Sequence, residues 1–241
     1  MKTLFKKDEV IFAVSWILIY IFTFSNADML SESIGSPKSI TVCVGLFLSL
    51  LLIRFVKKNS LQEYFGLCHI KENYQKLAYF LPLIPISSIN LLFGFRFPEH
   101  LLTAFLSVLC MCFVGFLEEL IFRGFLFKAM CKSNVKAAII VSSLTFGVGH
   151  IINLLLGEPL LETLLQLAYA SSVGFCYTAI FYVSGSIIPC ILSHALVNSL
   201  SVFIKDATPT MLVVTAVIQI ILSTGYGVWL LRQKHSSKDI Q

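Results

Sequence analysis

Six polar side chains set within apolar stretches, Glu118, Glu119, Arg123, His150, His194 and Asn198, carry the groups needed to hydrolyse an amide bond. A carboxylate beside an imidazole can hold and deprotonate a water. A second imidazole and an amide can then donate to the oxyanion formed when that water attacks a carbonyl. Spacing divides the set. Glu119 and Arg123 are four residues apart and share a helix face, so each neutralises the other. Glu118 is turned by about 100° from Glu119, has no partner in its own helix and must face another segment. His194 and Asn198, again four apart, align two donors on one face. Gly147 and Gly149 remove side-chain bulk beside His150, so that a neighbouring helix or a substrate backbone can come close. Neither a G-x-S-x-G elbow nor an H-E-x-x-H helix occurs, so serine hydrolase and zincin templates lack support. Glu118, His150 and His194 would make an acceptable zinc ligand set with an open position, a question that spacing across three segments leaves open.

These residues lie where charge is costly. The chain of 241 residues is 57% hydrophobic and 13% charged, with a mean hydropathy of +0.86, which places it among integral membrane proteins. On insertion scales a charged group at the bilayer centre costs about 2.5 to 3.5 kcal/mol, so Glu118, Glu119 and Arg123 unpaired would oppose insertion by roughly 8 kcal/mol. Singly, each residue has a plain structural use, as an ion pair, a core histidine or an interhelical amide. Together in three spans they point to a shared site.

The elements that must position them are about eight apolar runs, 10–27, 39–56, 77–95, 101–127, 137–156, 163–183, 186–204 and 210–231, forming an all-α polytopic bundle. Basic residues orient it. With both termini in the cytoplasm, fourteen of the 18 Lys and Arg fall inside, only Lys38, Arg96 and Lys205 fall outside, and Arg123 lies within a span. The net charge of +5 is therefore a topology signal that requires no nucleic-acid partner. At 1.5 Å per residue, Glu118, His150 and His194 lie roughly 14, 20 and 12 Å from the cytoplasmic ends of their helices. One polar layer in the inner half of the membrane, opening toward the cytoplasm, is expected.

No repeat or long linker divides the chain, which reads as one membrane domain over 1–241. Residues 1–100 supply N-terminal helices, 101–204 the catalytic core, and 205–241 a C-terminal helix and tail. The extramembrane piece 57–76, with Leu61, Tyr64, Phe65 and Cys68 at helical spacing, predicts an interfacial packing helix. Pro82, Pro85 and Pro189 are expected to bend spans from within, and Ser184-Gly185-Ser186 to close a tight helical hairpin. The seven cysteines indicate no disulfide framework, and Cys110 and Cys112, two apart, face different ways. The first run ends in Ser25-Asn26-Ala27, as a signal peptide would, but its length and the acidic Asp8 and Glu9 favour an uncleaved span.

Glu118-Glu119-x-x-x-Arg123, Phe146-x-x-x-His150 and His194-x-x-x-Asn198, in that order and in separate spans, resemble the three-motif signature of the CAAX protease and bacteriocin-processing family, also called the Abi family, of intramembrane endopeptidases. The resemblance extends over about 101–204; the spans before it and the last carry no matching motif. It implies that Glu118, with His150, activates a water and that His194 and Asn198 stabilise the oxyanion. It also implies a supporting and orienting role for Glu119, Arg123 and Phe146. A mechanism without metal is favoured; zinc stays open. Short loops look like those of a bacterial member, in the cytoplasmic membrane, acting on a membrane-associated peptide or protein in bacteriocin maturation, self-immunity or CAAX-like processing. A non-catalytic immunity or scaffold protein is the alternative. A proton-coupled transporter comes third, since no inverted repeat of broken helices is present.

Overall fold

The computed structural model describes residues 1–68 and 80–236. Its helices are α1 (Lys2–Lys7), α2 (Glu9–Ser33), α3 (Ser39–Lys58), α4 (Leu83–Ser88), α5 (Leu101–Glu119), α6 (Val135–Val148), α7 (Leu160–Ser184), α8 (Ile188–Leu200) and α9 (Pro209–Ser236). A π-helical stretch, Leu120–Phe127, continues α5 without a break in the rod. Among the described residues the only extended pairing is an isolated antiparallel bridge between Phe95 and Ile204. The protein is an all-α, multi-pass membrane bundle.

Six helical rods are long and apolar enough to cross a membrane: Glu9–Ser33, Ser39–Lys58, Leu101–Met130, Val135–Leu155, Leu160–Ser184 and Pro209–Lys234. The described parts of the other two expected spans hold shorter apolar helices, Leu83–Phe93 and Ile188–Phe203, residues 77–79 lying outside the described residues. Proline accounts for part of the difference. Pro189 does not bend a span from within; it occupies the first turn of α8, where its missing N–H costs nothing. Pro82 is likewise the N-cap of α4. The expected interfacial helix over 57–76 is not formed in its described part, where Ser60 (φ 55°) and Gly66 (φ 72°) adopt left-handed conformations that interrupt a helix; residues 69–76 lie outside the described residues. Phe65 nonetheless packs as expected, buried against Phe5 and Phe125.

The Ser184-Gly185-Ser186 turn is tight, closed by Gly185 at φ 73° with its N–H on the Phe181 carbonyl. The two helices it joins part company instead of forming a packed hairpin. α7 packs along α6 and α9, whereas α8 lies against α5 and α4. That divergence carries His194 onto the face of α5 that holds the acids.

α5 and α8 approach closely because Gly115 has no side chain: a Cβ there would stand 2.8 Å from the Ala195 backbone nitrogen. On the other side, α2 and α3 pack against α5 and the π stretch around Phe12, Trp16, Leu52, Phe55 and Phe125. All eight residues of Leu120–Phe127 are buried. A segment buried on every side belongs at the centre of the bundle, and this one follows directly on Glu118 and Glu119. The seven cysteines are free, with Cys110 buried and Cys112 exposed.

Candidate active site

Glu118 and Glu119 end α5, and the change to π geometry begins at the next residue. Single π turns inside α-helices recur at functional sites because the wider turn re-aims side chains. Here the pair is aimed at α2 on one side and α8 on the other. Glu118 Oε1 accepts a 2.7 Å hydrogen bond from the Tyr20 hydroxyl of α2, and its Oε2 stands 3.7 Å from His194 Nε2. Glu119 Oε1 lies 2.9 Å from His194 Nδ1 and accepts from Arg123 Nη1, also at 2.9 Å. The imidazole of His194 is thus held edge-on between the two carboxylates.

The four-residue spacing of Glu119 and Arg123 does produce a contact, with both side chains 0% exposed. Arg123 is otherwise short of hydrogen bonds, since its Nε and Nη2 are buried with no such partner. Its guanidinium instead stacks on aromatic faces, with Cζ 4.2 Å from the Phe146 ring centroid and 5.6 Å from that of Tyr177. Such cation–π contacts, at about 2 kcal/mol when desolvated, offset much of what the missing donors cost. Phe146 thereby joins the three motifs physically. Its ring is edge-on to both imidazoles, at 5.8 Å from His150 and 5.6 Å from His194.

His150 lies in a 3-10 turn, Gly149–Ile151, that follows α6, and is half-buried. Both Glu118 and His194 are within electrostatic reach of it. The flanking glycines have different surroundings. Gly147 lets α7 come close, since a Cβ would lie 2.7 Å from the Leu167 carbonyl oxygen and 2.8 Å from the Ser171 nitrogen, while Gly149 faces open space. Asn198 is half-buried one turn beyond His194 on α8. Its backbone carbonyl accepts from Ser201, and its side-chain amide has no hydrogen bond to a described residue.

Behind His194, Ser193 is held by two hydroxyls, from Tyr177 at 2.8 Å and Ser87 at 2.6 Å. These pin α8 to α7 and α4. Among the described residues no three His, Cys, Asp or Glu side chains converge closely enough to hold a metal ion. The Glu118, His150 and His194 set does not assemble as a ligand sphere.

Residues 100–200 match the family model described as Type II CAAX prenyl endopeptidase, Rce1-like. The matched segment carries all three motifs. No curated protein and no solved structure matches the chain. At family level the match supports a membrane endopeptidase, and it covers α5, α6, α7 and α8 and every motif residue. Outside it lies α2, which delivers Tyr20 to Glu118. Sequence reasoning missed Tyr20, Tyr177 and Ser193. Each is one hydroxyl in an apolar or mixed run, and only contact with the motif residues distinguishes it from its neighbours.

Proposed function

We propose that this protein is a glutamate-dependent intramembrane endopeptidase that hydrolyses a peptide bond in a membrane-associated substrate. Glu118, assisted by His150, takes a proton from water as the water oxygen bonds to the scissile carbonyl carbon. His194 and Asn198 donate to the oxygen that becomes negative. On collapse of the tetrahedral intermediate the C–N bond breaks, and the proton held on Glu118 passes to the leaving nitrogen. Glu119 orients His194 through Nδ1, and Arg123 balances the charge of Glu119.

The observation that carries this reading is the position of His194 between the two carboxylates. With Nδ1 donating to Glu119, the ring presents an N–H at Nε2 only as the imidazolium. In that form two acids are matched by two bases, Glu118 and Glu119 by Arg123 and His194. The gap of 3.7 Å between Nε2 and Glu118 is too long for a direct hydrogen bond. A carbonyl drawn toward Nε2 would therefore compete with no existing bond.

The excess of Lys and Arg at one end of the apolar runs supports an orientation with that end inside. We place it in the cytoplasm of a bacterial cell, with the substrate a peptide in bacteriocin maturation, self-immunity or CAAX-like processing. The test compares membrane peptides by mass spectrometry from cells with the wild-type protein and with Glu118→Gln or His150→Ala. Either variant should lower cleavage by at least about 100-fold while inserting normally. Retained cleavage in either one sinks the assignment. An immunity phenotype that survives Glu118→Gln supports a non-catalytic protein instead.

A further inference from the structure

We propose that Tyr20, from the first long helix and outside the family match, is a positioning residue for the reaction, fixing the Glu118 carboxylate so that one oxygen stays free to act. This rests on the role given to Glu118 above. Tyr20 is buried, at 7% exposure, and its hydroxyl donates to Glu118 Oε1 at 2.7 Å across 98 residues of sequence. That length is an ordinary one for an O–H···O hydrogen bond. It occupies Oε1 and leaves Oε2 directed at His194 Nε2.

The geometry solves a problem that α5 cannot solve alone. Arg123, four residues on, is taken by Glu119, so no group on its own helix restrains the Glu118 carboxylate. A carboxylate free to rotate would either close on His194 or turn away from it. The Tyr20 hydroxyl prevents both. The Tyr20 ring is itself held against Phe24, with centroids 4.6 Å apart, and within the core between α2 and α3. The restraint is thus built into packing. A base held in one orientation before substrate arrives loses less on reaching the transition state.

The experiment uses the full-length protein in membranes and the peptide whose cleavage depends on Glu118. Tyr20→Phe keeps the ring and removes the hydroxyl; Tyr20→Leu removes both. The expected result is a kcat lowered about 10- to 100-fold in both variants, with KM within about twofold of wild type and thermal stability of Tyr20→Phe retained. Labelling by dicyclohexylcarbodiimide, which modifies buried membrane carboxyls, should reach Glu118 roughly threefold faster or more once the hydroxyl is gone. Rescue of kcat by Phe but not Leu would make the ring, not the hydroxyl, the active part and overturn the proposal. Unchanged labelling, a rise in KM alone, or failure of Tyr20→Phe to fold would overturn it too. Full activity of Tyr20→Phe beside an inactive Glu118→Gln removes the role of Tyr20 and leaves the proposed function standing. A Glu118→Gln protein that still cleaves removes both.

Discussion

The two adjacent glutamates have different surroundings. Glu119 has 0% exposure, with Arg123 and His194 both on its Oε1 and its Oε2 buried without a hydrogen bond, whereas Glu118 is bound by Tyr20 through Oε1 and directs Oε2 toward His194. Replacing Arg123 by Met should therefore destabilise the protein by about 3 to 5 kcal/mol, because it leaves Glu119 buried without its counter-ion. Thermal unfolding in detergent measures this, and a wild-type melting temperature would contradict the pairing. Phe146→Leu acts on the same cluster differently. It removes the face on which Arg123 stacks and the edges that meet both imidazoles, so about 2 kcal/mol or more of stability should go. Activity should fall more than stability alone explains, measurable as kcat at a temperature where the variant is fully folded.

At the scale of elements, the decisive contact is α5 against α8. Gly115→Ala would drive a methyl into the Ala195 backbone, and backbone yields less readily than a side-chain tip. The helices must separate, which widens the Glu118 to His194 gap on the next turn. The expected outcome is a loss of at least about tenfold in kcat/KM with the protein still inserted, and unchanged turnover would show that the helix spacing does not set the site. The π stretch is the other device at this scale. Because Leu120–Phe127 is buried all round, the wide turn is held by its neighbours on every side, and the two acids before it inherit a fixed direction.

Over the whole molecule, one end of the bundle gathers basic residues. Lys132 pairs with Glu9 and Tyr64 hydrogen-bonds the same acid, which joins the loop before α6, the start of α2 and the segment after α3. Lys234, near the end of α9, lies over the Tyr182 ring near the end of α7. Arg96 meets Asp206 at the opposite end, beside the bridge between Phe95 and Ile204. Single cysteines placed at Lys132 and at Lys205, in a background with the seven native ones replaced, should label from opposite sides of the membrane with an impermeant maleimide. Labelling from the same side would refute the arrangement.

By itself the sequence determined the class, the apolar runs and the motif residues, because bilayer insertion imposes length and polarity on each segment separately. Charges inside such runs are conspicuous, and the Glu119 to Arg123 contact follows from helical spacing alone. Two expected spans hold shorter helices in their described parts, and Pro189 starts a helix where a bend within one was expected; apolar composition marks a segment as buried or lipid-facing without saying how it ends. Only the tertiary structure decided which helix meets which. The turn at Gly185 sends α8 to α5 and not back along α7, Gly115 permits the approach, and Tyr20 arrives from a helix with no motif. Those are contacts between distant segments, set by shape and packing, and no local pattern of residues encodes them.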